Sequence, residues 1–141
     1  MAFKIFVDSD VVISSLISQA GAAYLLIHNI KLDRFISNVS FKELVIVAER
    51  LDLGQEKLSM LIENKFKQIQ LKKTMDKLKK KFEDYVLDIN DAHIVAGAVE
   101  VKAKFLVTYN VRHFKEDKIR QDFGITVITP ANLIQYLRSQ D

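Results

Sequence analysis

The stretch FKIFVDSDVVISSLI, residues 3–17, decides how the rest of the chain reads. Phe3, Ile5, Phe6 and Val7 make an apolar run too short for a helix and suited to a strand buried on both faces, as parallel sheets require. Asp8 ends the run. Beyond Asp10, the apolar residues Val12, Ile13, Leu16 and Ile17 recur at helical spacing. Strand, acid, helix is the opening of an α/β unit, in which ligands bind beyond the carboxyl ends of the strands. Asp8 is therefore expected at the mouth of a sheet.

The pattern continues outward from that start. A second helix is expected from Ala22 to Ile30, a short strand at Phe35 and Ile36, then a helix beginning at Ser40 and ending near Gly54. Another helix is expected from about Gln55 to Phe66. Leu71, Met75, Leu78, Phe82 and Tyr85 keep one helical stripe, with lysines on the other faces. A compact helix from about Asn90 to Val101 carries small residues that allow close packing on a sheet. Phe105, Leu106 and Val107 read as a strand, and a polar stretch holding Asn110 and His113 follows. Gly124 precedes a last strand, Ile125 to Ile128, and Pro130 opens a last helix. Short apolar strands alternating with helices predict a three-layer α/β/α sandwich around a parallel sheet, with Asp8 and Thr108 at strand ends.

The 141 residues suit one domain, taken as 1–141, and half of them are apolar. The net charge of +3 is too small to imply nucleic-acid binding by itself. No cysteine is present, which excludes disulfides, thiolate metal sites and a cysteine nucleophile. Any metal must then sit on oxygen or imidazole. The start at Met1 shows no secretory pattern and is read as a mature cytoplasmic one, and charged residues interrupt every candidate membrane span.

Three acids fall where elements begin or end: Asp8, Glu43 and Asp91. Each has an ordinary explanation. Asp8 or Asp10 could cap the first long helix. Ser40, Phe41, Lys42 and Glu43 spell a capping box, in which Glu43 turns back to the Ser40 amide. Asp91 suits the positive end of a helix dipole. Together, however, they could converge on a hard cation such as Mg²⁺ or Mn²⁺, because clustered carboxylates repel one another unless a cation neutralises them. Such a cation activates water against phosphodiesters, so hydrolysis of nucleic acid is the chemistry that fits.

The segments FVDSDVVISSLIS (6–18), SFKELV (40–45), DINDAHIVAGAVEVKAKFLVTYNVRHF (88–114) and ITVITPANLIQYL (125–137) together resemble the PIN-domain family over nearly the whole chain. The resemblance implies an acidic metal pocket and cleavage of single-stranded RNA, as in toxins of VapBC-type toxin–antitoxin pairs. It assigns Asp8, Glu43 and Asp91 as the catalytic and metal-holding acids. A homodimer and an antitoxin partner are implied with it. The pattern departs at Asn110, where many members carry a fourth acid, and at His113, often Asp. Asn110 supplies a neutral oxygen and less charge for a second metal, so one cation is expected, assisted by Asp10 or Asn110. Thr108 and Ser9 are expected to hydrogen-bond the ligating acids.

Lys73, Lys77 and Lys80, with Lys72, Lys79 and Lys81, could form a basic rim for RNA, although a solvated helix face explains them equally. Arg112 and His113, near Asn110, could reach a phosphate. His93, two residues beyond Asp91 on a helix, is expected to point away from the metal. His28 and the four tyrosines read as packing residues. Two rivals stand beside the nuclease. Asp8, Ser9 and Asp10 also suit an aspartyl-phosphate phosphatase, but no strand-terminal acidic pair follows Thr108. A PIN-like RNA-binding module without catalysis is the other.

Overall fold

The computed structural model describes residues 2–140. Its sheet has five parallel strands in the order β3-β2-β1-β4-β5. They are β1 Phe3–Val7, β2 Leu32–Ser37, β3 Lys67–Ile69, β4 Phe105–Val107 and β5 Thr126–Ile128. The chain winds outward from β1 through β2 to β3, then crosses back to β4 and β5. The direction reverses between β1 and β4, and the crevice above such a reversal is where α/β sheets build their sites.

Helices cover both faces. The helices α1 Ser9–Ile17, α2 Ala22–Ile27, α3 Asn38–Arg50, α4 Gln55–Lys65 and α8 Pro130–Ser139 pack on one face. The other face carries α5 Met75–Phe82, α6 Ala92–Val101 and α7 Glu116–Phe123. Strand side chains alternate between the two cores: Ile5 and Val7 join the first, Phe6 the second, and in β4 Phe105 and Val107 lie opposite Leu106. Burial on both sides explains why these strands are uniformly apolar.

Helix α6 packs tightly on the sheet, with Gly97 against the ring of Phe6. A Cβ at residue 97 would stand 2.3 Å from Phe6 Cζ. Glycine is needed here for the close approach, and that approach brings the start of α6, with Asp91, beside the end of β1.

Several boundaries differ from the expectations. Helix α3 is capped by Ser37, whose side chain accepts from the Ser40 amide at 3.0 Å. Ser40 is a buried residue inside the helix, so the capping box does not form and Glu43 is released from it. Gly54 does not end α3. It precedes α4 at φ +81°, while Asp52 takes the left-handed turn after α3 at φ 55°. Helix α2 stops at Ile27, and α5 starts only at Met75, after a Thr74 cap. Strand β3 and helix α7 were not anticipated. The first is a three-residue edge strand with exposed Lys67 and Gln68, and the second buries only Ile119. Neither carries an apolar pattern long enough to read.

Candidate active site

The acids gather above β1 and β4. Asp8 caps α1 in extended conformation, its Oδ1 accepting from the Ser9 amide at 2.7 Å. Its Oδ2 accepts from the hydroxyl of Thr108 at 2.9 Å. Thr108 is fully buried at the end of β4, and its Oγ1 in turn accepts from the Asn110 amide at 3.0 Å. Asp10 reaches the same loop: its Oδ2 accepts from the Tyr109 amide and from Asn110 Nδ2, both at 3.1 Å. Two acids of α1 are thus tied to three consecutive residues after β4. Asp8 is both the helix cap and part of the site, since its two oxygens serve different donors.

Glu43 and Asp91 approach from the helices. The Glu43 side chain is 49% exposed, and its Oε1 lies 2.9 Å from Nε2 of His93. Asp91 stands at the start of α6, with His113 Nδ1 3.8 Å from its Oδ2. Beyond hydrogen-bond distance, mutual repulsion links the four acids. Burial, the charge of Asp10 and the charge of Glu43 push the Asp8 carboxyl up to about 6, against the pull of Thr108 and Ser9. Burial also raises Asp91 to about 6, followed by the charges of Asp8 and Asp88. Asp10 is raised by burial, with Asp91 adding to it. Burial first, and then the charge of neighbouring acids, makes each of these groups harder to ionise than an ordinary carboxyl.

The donor set fits a hard divalent cation. It is all oxygen, and Oδ1 of Asp10 is buried without a hydrogen-bond partner, as is Oγ of Ser9. Among the described residues, no three His, Asp or Glu side chains are drawn tightly enough to form a ready-made cage. Asp91 and Glu43 therefore stand within electrostatic reach of Asp8 without closing a shell. Ser9 serves Asp8 through its amide, whereas its hydroxyl stays free. Asn110 acts through its side-chain amide as a donor to Asp10, stabilising that carboxylate rather than adding a ligand.

The lysines lie elsewhere. Lys72, Lys73 and Lys81 line a cavity of about 260 Å³ with Gln70, Leu78 and Glu100, beside the middle of α6. Lys77 adds its charge to Lys73, and Lys80 is exposed on α5. None of the four acids borders that cavity. Exposed Arg112 and His113 are close to the acids in the chain, and His113 also in space. His93 is the residue that reading the sequence passed over. Its signal was present: it is the only ionisable side chain in the buried run Ala92–Ala98, and a polar group there calls for a partner.

Residues 4–112 match the family model described as PIN domain. Among solved structures, VapBC2 from Rickettsia felis, bound to a DNA fragment from their promoter, aligns over 90% of this chain and 98% of that one, at TM-score 0.63 and 16% identity. PAE2754 from Pyrobaculum aerophilum aligns over 99% of both chains at TM-score 0.59 and 17% identity. At such identities the likeness is one of fold. No curated protein matches the chain.

Proposed function

This chain belongs to the PIN-domain family, and on that premise we propose that it is a metal-dependent endoribonuclease that cuts single-stranded RNA, the toxin of a type II toxin–antitoxin pair. One observation carries the reading: four acids gather at the reversal point of the sheet, where burial and neighbouring acids push Asp8, beside Asp10 and Glu43, and Asp91, beside Asp8 and Asp88, to about 6. A structural role for that arrangement would be self-defeating, because uncompensated buried charge destabilises the fold. Asp8 and Asp91 would hold Mg²⁺ or Mn²⁺, with Glu43 and the free Oδ1 of Asp10 completing the oxygen set. The cation would supply charge stabilisation at the phosphodiester and an acidified water.

The chain's own residues do the positioning. Thr108 fixes one oxygen of Asp8, and the Tyr109 and Asn110 donors fix one oxygen of Asp10. Preorganised acids lose less freedom when substrate arrives. Arg112, with His113 beside it in the chain, would meet the RNA backbone near the acids, and the lysines of α5 form a separate patch that adds only nonspecific attraction. With Asn110 where many members of the family carry a further acid, one cation is the expected complement. The partners follow from the sequence resemblance: an antitoxin protein and a second copy of this chain, in the cytoplasm, with residues 1–141 acting as one domain. Among the described residues, no helix is long and apolar enough to cross a membrane.

The Asn110 contact also favours the second reading, a PIN-like RNA-binding module without catalysis, since Asn110 brings a neutral group where many members of the family carry a further acid. The phosphatase alternative lacks its acidic pair: β5 ends at Ile128, and Thr129 caps α8. The test compares wild type with Asp8→Asn on a panel of RNAs with Mg²⁺, Mn²⁺ or EDTA. Cleavage by wild type alone, abolished by EDTA, supports the nuclease. RNA binding without cleavage by wild type supports the inactive module, and equal product from both proteins exposes a contaminant and sinks the catalytic reading.

A further inference from the structure

We infer that His93 is a positioning residue, which holds the Glu43 carboxylate over the acidic pocket from the opposite side of the sheet. The contact itself rests on geometry, and its consequence for catalysis rests on the nuclease reading above. Helix α3 packs on one face of the sheet and α6 on the other. A bond between their side chains must therefore pass over the strand ends, where the pocket lies. Glu43 is half exposed, and a flexible side chain in water would otherwise sample many rotamers. His93, 2% exposed, sits rigidly in a helix buried against β1, and its Nε2 meets Oε1 of Glu43 at 2.9 Å. That bond engages one carboxylate oxygen and leaves Oε2 as the one able to turn toward the pocket.

Packing alone does not explain a histidine at this position. The other nitrogen, Nδ1, is buried and has no hydrogen-bond partner, whereas an apolar side chain of similar size would leave nothing unpaired. The unpaired nitrogen is tolerated with the placement of Nε2. A donor buried behind a ligating carboxylate orients it and sharpens its affinity for a cation, an effect commonly of 10-fold to 100-fold, here an order-of-magnitude expectation.

The full chain tests this with and without Mn²⁺. In the metal-free protein, side-chain ¹H–¹⁵N spectra should show His93 carrying a proton on Nε2 that is protected from exchange, and Glu43→Ala should remove that protection. His93→Leu should melt no lower than wild type yet bind Mn²⁺ roughly 10-fold to 100-fold more weakly by calorimetry. His93→Gln, whose amide can present a donor in nearly the same place, should recover most of the affinity. An unprotected Nε2, or wild-type Mn²⁺ affinity in His93→Leu, overturns the inference. If His93→Leu does not fold, His93→Gln decides: a folded variant with weak Mn²⁺ binding and no protected amide contact to Glu43 also overturns it. A protected, Glu43-dependent Nε2 proton in a protein that neither binds Mn²⁺ nor cuts RNA leaves the contact standing and removes the nuclease reading instead.

Discussion

The two sides of the acidic pocket are built differently. On the strand side, Asp8 and Asp10 are fastened by the Ser9 and Tyr109 amides, the Thr108 hydroxyl and the Asn110 amide group, all between 2.7 and 3.1 Å. On the helix side, Glu43 and Asp91 are more open and have histidine neighbours, His93 at 2.9 Å and His113 at 3.8 Å. The strand side is fixed by two main-chain amides and two side chains that directly follow the buried strands β1 and β4. The helix side depends on side chains from α3 and α6, elements that meet only above the strand ends. On the proposed reading, the rigid, fastened half would set where a cation and a scissile phosphate sit, and the more open half would carry the freer carboxylates.

The largest effects should come from the rigid half. Asp8→Asn is expected to lower RNA cleavage on the order of 10³-fold, while Glu43→Gln, which keeps an oxygen for His93, should lower it only about 10-fold to 30-fold. Single-turnover cleavage at saturating RNA measures both, and equal losses would erase the asymmetry. Thr108→Val removes the hydroxyl that binds Asp8 while nearly preserving its volume. A loss of about 10-fold in cleavage and about 1 kcal/mol in denaturant stability is expected, and no change in either would mean that Asp8 is held by its cap contact alone.

Protons give a subtler test. The folded protein raises Asp8 and Asp91 above the usual carboxylate range, to about 6. A raised carboxyl contributes stability that is present in full below about pH 4 and is lost as pH rises through about 6. The metal-free wild type should therefore lose stability between pH 4 and pH 6.5 relative to Asp8→Asn, on the order of 2 kcal/mol by denaturant titration at each pH. Mn²⁺ at neutral pH should restore it, and parallel pH curves for the two proteins would contradict the raised value. The smallest effect belongs to the rim. Arg112→Ala should weaken RNA binding several-fold at low salt, and a Lys73→Ala, Lys77→Ala double variant less, because those lysines lie beside α6 and away from the acids.

Some of this was legible in the chain. The run from Phe3 to Val7 ending at Asp8, and the run from Phe105 to Val107 ending at Thr108, named the two strands whose carboxyl ends meet, because strands buried on both faces must be continuously apolar. Gly97 among alanines announced the helix that packs tightly on them. Elements with little to bury left no such trace: β3 pairs along one edge with polar side chains, and α7 holds on through Ile119 and through Phe123, whose ring lies 4.9 Å from that of Tyr85.

Periodicity is a local property, and so the sequence determined the layers, the parallel sheet and the place of Asp8 within them. It could not determine which side chains from distant segments share a hydrogen bond. Tertiary structure alone decided that Ser37 rather than Ser40 caps α3, and so left Glu43 free. It alone set His93, which helical spacing had seemed to turn away from the pocket, against Glu43 across the end of the sheet. The physical reason is that a buried polar group takes its partner from whatever the packed layers bring within about 3 Å, and the 49 residues between Glu43 and His93 carry no record of that meeting.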